Sequence, residues 1–407
     1  MLRRTTCEGA LKAALAFTVA GIATPAMATE GYFALGYGPV QRGTAGAGVA
    51  APAGDAMASA LNPAAVAGLG RELSMGIELF APDRGYEATG TTMVAPGSYR
   101  SGHRVFPIPN FAYNLPLSNG HVLNFAAYGN GGMNTSYSDP IFGEAPAGVD
   151  LAQLFLSATY AGETNGISWG IAPTLAIQSF QARGLGAFAG MSVDPTALSN
   201  NGHDLSWGVG LRAGIQAEIA PGVRAGISGQ TKFNMTKFDK YAGLFEGGGD
   251  FDIPASITAG LAFDPRPDTT VMFDYQRIFY SGVPAVSNAT DAGPLGAPDG
   301  AGFGWDDVDV LKIGVEWRKS PQMTWRFGYA YATNPIGAED VLLNVIAPGV
   351  VQHHFTAGGS WQLNARDRID FAAVYALNNS VTGAVPPGEV TIDMDQIELA
   401  VGWTRRF

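Results

Sequence analysis

The chain has 407 residues and a formal net charge of −11 at pH 7; 55 residues are glycine and only 14% are charged. Such an acidic chain argues against nucleic-acid binding, and no apolar run reaches the roughly 18 residues that a membrane-spanning helix requires. Low charge, abundant glycine and many aromatic residues leave two classes open: a soluble β-protein of several domains and a transmembrane β-barrel.

The first 28 residues predict a secretory signal peptide. Three basic residues precede an apolar run at 13–23, and Ala26-Met27-Ala28 is a small-x-small cleavage site. The run is too short to cross a bilayer as a helix. Cleavage after Ala28 would also remove Cys7, the only cysteine. We therefore expect an exported chain that has no thiol for a disulfide, a metal site or a nucleophile.

Residues 29–70 differ in composition from the rest of the chain. Of these 42 residues 21 are Gly or Ala, and only Glu30, Arg42 and Asp55 are charged. The stretch 55–69 has the composition of a helix, but Asn62-Pro63 breaks it because proline lacks an N–H group and disfavours helix in the residue before it. The segment is therefore compact, apolar and irregular.

From residue 72 onward, apolar and small or polar residues alternate with period two, which is typical of strands with one apolar face. In residues 205–219 the alternation holds over 15 residues, whereas soluble strands usually have about five or six. Fourteen strands are predicted, at 72–80, 106–117, 121–130, 151–163, 167–182, 204–220, 223–238, 252–264, 269–280, 307–319, 323–333, 352–364, 367–378 and 395–407.

Short turns alternate with long loops between these strands. The long loops are predicted at 183–203, 239–251, 281–306, 334–351 and 379–394. This arrangement is typical of an all-β barrel in the outer membrane of a Gram-negative bacterium, with the turns and both chain ends on the periplasmic side. We therefore predict about 14 antiparallel strands over residues 71–407.

A barrel of this size needs something to fill it. Eight strands are filled by their own side chains and sixteen leave an aqueous channel, so fourteen strands would leak if they were empty. A segment that is nearly free of charge can enter a lumen without leaving charges unpaired. We predict that residues 29–70 form a small N-terminal hatch, or plug, inside the lumen.

Several short motifs follow one another along the chain: residues 31–35 (GYFAL), 43–48 (GTAGAG), 55–56, 62–64, 305–318, 325–335 (WRFGYAYATNP) and 348–359. In this order they resemble the long-chain fatty acid transporter (FadL) family of outer membranes, which includes transporters for toluene. Two departures concern the substrate: Ala65-Val66 stand where the family usually has Gly-Met, and His353-His354 where it tends to have Arg-His.

The resemblance implies a monomer that binds a hydrophobic small molecule from outside and releases it sideways, through a gap in the wall, into the membrane lipid. It places Phe33, Leu35, Asn62 and Pro63 of the hatch among the ligand-binding candidates. The run 129–132, which is Gly129, Asn130, Gly131 and Gly132, is the candidate lateral opening, because glycines weaken a strand and favour a bulge or kink; an ordinary hairpin end is the alternative.

Long-chain fatty acid is the expected substrate on family grounds, and neutral hydrocarbons such as alkanes or toluene-like aromatics are the alternative. A carboxylate would need a basic partner, and the lumen candidates are Arg42, Arg212 and Arg326. The acidic residues of the predicted external loops would slow the approach of an anion.

Other classes of function have weaker support in the sequence. No hydrolase elbow, HExxH motif or Cys/His cluster is present, so no enzyme activity, metal site or cofactor is predicted. Loop carboxylates could bridge Ca²⁺ to lipopolysaccharide phosphates, but solvated loop charge is the simpler interpretation. A diffusion porin requires an open lumen with opposed rows of charge. An adhesive or structural barrel stays open.

Overall fold

The alternating segments form long antiparallel strands, each hydrogen-bonded to its sequence neighbour. The computed structural model describes residues 30–407; the predicted signal peptide lies outside them. The strands are β1 (Glu72–Thr89), β2 (Gly97–Arg100), β3 (Phe106–Pro116), β4 (Val122–Asn134), β5 (Gly148–Thr164), β6 (Ile167–Arg183), β7 (Asp204–Ala220), β8 (Val223–Gln230), β9 (Asn234–Met235), β10 (Ser256–Arg266), β11 (Thr269–Ile278), β12 (Val308–Trp317), β13 (Met323–Ala332), β14 (His353–Gln362), β15 (Asp367–Val385) and β16 (Gly388–Arg406).

Fourteen of the strands within residues 30–407 close into a barrel, as predicted. The last strand β16 pairs with β1, from Glu72 opposite Arg406 to Thr89 opposite Glu389. The two short strands β2 and β9 lie at the margins of the sheet, where they pair with β1 and β7. Closure matters because a lipid-exposed sheet edge would leave backbone polar groups unpaired in hydrocarbon.

The faces of the strands follow the sequence pattern. In β7 the odd-numbered Leu205, Trp207 and Val209 are more than half exposed, whereas Ser206 and Arg212 on the other face are buried. In β16 the outward residues include Ile397, which is 50% exposed. The outer face is therefore an apolar wall that suits lipid contact, and the polar residues face the lumen.

Some strand ends differ from the prediction. The predicted loop at 379–394 is instead a hairpin, because β15 continues to Val385 and β16 begins at Gly388. Its Val390 and Ile392 are fully buried on the inner face, so the alternation continues while the outer face becomes polar above the apolar band. Conversely β8 ends at Gln230, and Phe233 turns into the interior.

The helices are short. They are α1 (Gly38–Arg42), α2 (Glu246–Gly249), α3 (Pro284–Ser287) and α4 (Val341–Asn344), with 3₁₀ turns at Ala56–Ala60, Pro63–Val66, Gly186–Met191, Pro195–Ala197, Asp239–Tyr241, Tyr280–Gly282 and Ala338–Asp340. No helix within residues 30–407 has both the length and the apolar composition to cross a membrane.

Residues 30–70, called the hatch below, run inside the lumen. The predicted broken helix at 55–69 is two 3₁₀ turns, because Asp55 and Asn62 each cap a turn: their side chains accept hydrogen bonds from the N–H groups of Met57 at 3.0 Å and Ala64 at 2.9 Å. Such caps compete with continuous helix. Most hatch side chains are buried.

Candidate functional site: a gap in the barrel wall and the segment that covers it

The ladder between β3 and β4 stops halfway up the barrel. Their last paired residues are Phe111 and Ala127. Beyond that point the ladders of residues 106–110 of β3 are with β1, and those of residues 128–134 of β4 are with β5. The barrel wall therefore has a gap on its extracellular half, between two strands that are adjacent in the sequence.

A bulge at Asn130 turns β4 away from β3. Gly129 lies opposite Leu154 of β5 and Gly131 lies opposite Gln153, so Asn130 is one extra residue in β4. A bulge bends its strand and increases the local twist. The run 129–132 thus lies at the gap, with the buried Asn130 side chain donating to Gln153 Oε1 at 3.0 Å.

The other edge of the gap carries a signal that the sequence analysis missed. Pro107 and Pro109 occupy alternate positions in the part of β3 that lies beyond its ladder with β4. Proline cannot donate a ladder hydrogen bond, and within sheets it occurs in edge strands, at the first residue of a strand or at bulges. The pattern Phe-Pro-Ile-Pro-Asn, residues 106–110, could have indicated that one edge of this strand stays open.

The start of the hatch covers the gap. Ala34 N–H donates to the carbonyl of Asn130 at 2.9 Å, and Gly132 N–H donates to the carbonyl of Tyr32 at 3.1 Å. Phe33 lies opposite Gly131 as in a β-bridge. A methyl group on Gly131 would lie 2.1 Å from the Tyr32 carbonyl oxygen, so only glycine allows this approach. The unpaired edge of β4 is thus occupied by residues 32–34, called the cover segment below.

A small cavity lies beside the cover segment, at the top of the gap. Its volume is about 20 Å³, which is room for about one water molecule. Buried Arg84 is its basic residue and donates to neutral oxygens, including Asn134 Oδ1 at 2.8 Å and the His103 carbonyl at 2.9 Å. The lining residues are Phe80, Pro82, Arg84, Gly132, Met133, Asn134, Trp305, Ala347, Pro348, Gly349 and Met394.

The other hatch candidates lie against the wall rather than at this cavity. Asn62 Nδ2 donates to the Val49 carbonyl at 2.6 Å, and the Pro63 backbone lies where a Cβ on Gly170 would meet it at 2.4 Å. Leu35 is buried in the main apolar core. Asn62 and Pro63 therefore hold the hatch in shape and in place.

Two of the three predicted lumen arginines are bound to carboxylates. Arg42 forms an ion pair with Glu78 at 2.6 Å and another with Glu398, all three side chains being buried. Arg326 pairs with Glu316 at 2.9 Å. These arginines hold protein carboxylates, and a ligand anion would have to compete with them.

Arg212 has different surroundings. Its guanidinium donates to the hydroxyl of Tyr128 at 2.9 Å and to the Ala60 carbonyl. It also lies over the rings of Tyr37 and Tyr128, at 5.7 and 5.9 Å from their centres, a cation–π geometry. Tyr37 in turn donates to Asn130 Oδ1 at 3.1 Å. Arg212 therefore connects the hatch with the bulge at the gap.

Two carboxylates in the external loops have pKa values below the ordinary range. Burial raises the pKa of Asp307, but donors from Ser281 and Arg277 outweigh it, so this pKa lies below the ordinary range. Hydrogen bonds from Thr196 lower the pKa of Asp194. Among residues 30–407 no three His, Asp or Glu side chains come together as a metal site would need.

The sequence matches a known protein family over most of its length. The sequence profile described as "Outer membrane protein transport protein (OMPP1/FadL/TodX)" matches residues 22–389. The chain belongs to the OMPP1/FadL/TodX family. Family membership confirms the predicted barrel in the outer membrane of a Gram-negative bacterium and the transport of hydrophobic compounds. Among curated proteins none matches the sequence.

Solved structures of this family share the fold with the chain. The Pseudomonas putida toluene transporter TodX is 18% identical with a TM-score of 0.68, over 91% of this chain and 99% of that one. The Ralstonia pickettii toluene transporter TbuX is 21% identical with a TM-score of 0.65, over 91% and 98%. A Pseudomonas aeruginosa FadL homologue is 16% identical with a TM-score of 0.70, over 93% and 100%. At these identities the likeness is one of fold, and the neighbours are transport channels.

Proposed function

We propose that this channel takes up neutral hydrophobic molecules and releases them sideways into the membrane through the gap between β3 and β4. One combination of features supports the proposal: the hydrogen-bond ladder between β3 and β4 is interrupted, and the hatch occupies the lumen below the interruption. In this proposal the cover segment, residues 32–34, is the gate of the lateral route, and residues 129–132 form one edge of the opening.

Along the straight route to the periplasm the hatch lies in close contact with glycines of the wall. A methyl group on Gly214 would lie 2.0 Å from Asn62 Oδ1, and one on Gly328 would lie 2.4 Å from the Thr44 carbonyl carbon. Eight strands contribute one such glycine each: Gly170, Gly214, Gly226, Gly260, Gly314, Gly328, Gly358 and Gly402. We call these eight the glycine girdle. It holds the hatch against eight of the fourteen barrel strands and so narrows the passage beside the docked hatch.

The sideways route also suits the energetics of the ligand. An apolar molecule gains about 0.8 kcal/mol per CH₂ group by staying out of water, so release into hydrocarbon is downhill whereas release into the periplasm is not. The cavity at the gap is almost filled, so a ligand must displace the cover segment. That movement breaks two backbone hydrogen bonds from this segment to β4 and the bond from Tyr32 N–H to the Tyr280 hydroxyl, which is 3.0 Å long.

The charges in the lumen favour a neutral ligand. Arg42 and Arg326 are bound to glutamates, and Lys312 pairs with Glu30 at 2.7 Å. A fatty acid carboxylate would have to be desolvated, at a cost of several kcal/mol, and would find these cations already neutralised. TodX and TbuX are described as toluene transporters, and toluene is a neutral compound. Fatty acid is the second candidate, which Arg212 favours because its partners are uncharged.

The lateral route is tested by deleting Asn130. The deletion removes the extra residue and lets β4 pair regularly with β5, so the strand can run straight towards β3. Uptake of radiolabelled toluene or hexadecane by cells should fall to background, with normal amounts of folded barrel in the outer membrane. Deletion of Asn378, at the irregularity between Ala376 and Asn379 of β15, is the matched control and should leave uptake intact. Normal uptake without Asn130 would refute the route.

The choice of ligand is tested with the purified protein. Hexadecane and palmitate, which share a carbon number, are compared for displacement of a bound fluorescent probe. We expect the alkane to bind at least tenfold more tightly, and replacement of Arg212 and Arg326 by Gln to leave its affinity unchanged. Tight palmitate binding that this double variant abolishes would instead establish the fatty acid. Binding of neither ligand would favour an adhesive or structural barrel.

A further inference from the structure

The outer wall carries a groove well away from the gap, across β6 to β13. Its volume is about 820 Å³. Most of its lining residues have side chains that point away from the lumen, among them Ile215, Ala217, Ala225, Ile227, Ala259 and Leu261.

Small outward residues make the groove. Ala217 pairs with Ala225, and Ala259 lies opposite Tyr275, so alanines form a floor between larger neighbours. On the inner side of the same sheet, Gly226 and Gly260 of the glycine girdle bring the wall against the hatch at Val49 and Ala50. The wall is thus drawn inward at this sector, and its outer surface is concave.

The periplasmic end of the groove is basic. Between Phe263 and Arg266 the strand β10 contains one residue more than its partner β11, and this irregularity places Arg266 opposite Thr269. Thr269 is in turn opposite Trp317 of β12, whose odd-numbered residues face outward. Arg266 therefore stands on the lipid side, at the level of the short turns, which face the periplasm in barrels of this class.

Lys319 joins Arg266 at this level. Its Nζ lies 5.9 Å from the centre of the Trp317 ring, and both Arg266 and Lys319 are exposed. No carboxylate within residues 30–407 forms an ion pair with either, whereas the neighbouring Arg224 pairs with Asp264 and Arg318 with Glu316. Two exposed cations outside these ion pairs thus lie beside an interfacial tryptophan, with Asp268 of the same turn within electrostatic reach of Arg266.

We infer that the groove binds an anionic phospholipid of the inner leaflet, with its acyl chains on the alanine floor and its phosphate at Arg266 and Lys319. The dimensions agree: Leu261 in the groove precedes Arg266 by five residues, which is about 17 Å along a strand. A lipid with apolar chains in the groove and a charged phosphate at its periplasmic end complements this surface. Tryptophan at the interface and basic residues beside it are the features that attract anionic lipid.

The experiment is native mass spectrometry of the detergent-solubilised full chain, titrated with phosphatidylglycerol or with phosphatidylcholine of the same acyl chains. We expect one phosphatidylglycerol adduct, bound more tightly than phosphatidylcholine. Each basic residue near a membrane surface contributes about fivefold in affinity, so Arg266→Gln with Lys319→Gln should reduce phosphatidylglycerol binding about thirtyfold and remove the preference. Arg366→Gln removes one positive charge from the β14–β15 turn; it is the control for each single Gln substitution and should have no effect.

A second variant separates the groove from the charges. Ala225→Phe with Ala259→Phe fills the floor and should reduce the binding of both lipids equally. A preference for phosphatidylglycerol that survives the double Gln variant would overturn the inference. So would lipid binding that survives the Phe variant, or a groove that is occupied by a second copy of the chain, seen as a dimer that the Phe variant dissociates. Uptake through the gap is measured separately, since the groove lies on other strands.

Discussion

The ion pairs of Arg42 predict how firmly the hatch is held. Arg42 ends helix α1 and lies between Glu78 of β1 and Glu398 of β16, with the three side chains at most 4% exposed. In Arg42→Met two carboxylates stay buried in the docked state, with only partial compensation by Gly38 N–H and Gln396. Breaking a buried pair in this way costs about 3–5 kcal/mol. If water reaches these carboxylates when the hatch undocks, the undocked population rises by roughly a hundredfold to several-thousandfold.

The assay is thiol labelling of a single cysteine introduced as Val49→Cys. Val49 is fully buried against the glycine girdle, and the mature sequence has no cysteine if cleavage follows Ala28 as predicted. Labelling in the presence of Arg42→Met should accelerate by two orders of magnitude or more, and conductance in planar bilayers should rise. Adding Glu78→Gln and Glu398→Gln removes the buried charge and should restore most of the protection.

A matched control uses an exposed ion pair. Arg100 pairs with Asp83 and Asp393 outside the lumen, and exposed pairs contribute at most about 1 kcal/mol. Arg100→Met should leave the labelling rate unchanged. The reasoning is refuted if Arg42→Met labels at the parental rate, or if the triple variant labels as fast as Arg42→Met alone.

Two further predictions concern the girdle and the cavity. Gly214→Ala should raise single-channel conductance, because its methyl group would lie 2.0 Å from Asn62 Oδ1 and displace the hatch. Gly190→Ala is the control and should leave the conductance unchanged, because no atom lies within 4 Å of its added methyl group. Equal conductance of the two variants would count against the girdle as a seal. Trp305→Ala should widen the cavity and favour naphthalene over toluene in displacement assays, at a cost of about 3–5 kcal/mol in stability, because Trp305 is buried and donates to Asn344 at 2.7 Å. An unchanged ligand ranking would show that the cavity is not on the route.

Much of the barrel could be predicted from local pattern. Alternation with period two determines which side chain of a strand faces lipid, as in residues 205–219, because successive side chains point to opposite faces whatever the partner strand is. The number of strands follows from counting such segments. Strand ends were less certain: at 379–394 the outer face turns polar while the chain stays extended, so hydropathy alone indicated a loop where the structure has a hairpin.

The candidate site depended on contacts that no local pattern contains. Glycines at 129–132 indicated a weak strand, but the gap also needs the ladder between β3 and β4 to end at Phe111, and the prolines at 107 and 109 cannot donate backbone hydrogen bonds beyond that point. Arg42 was visible as a lumen cation, yet its partners Glu78 and Glu398 lie on strands far away in the sequence, brought together only when β16 closes on β1. The sequence by itself determined the barrel, its faces and the presence of an internal segment. Only the tertiary structure decided which charges are neutralised and where the wall is open. Both depend on contacts between the hatch and strands that are far from it in the sequence and close to it only in the folded chain.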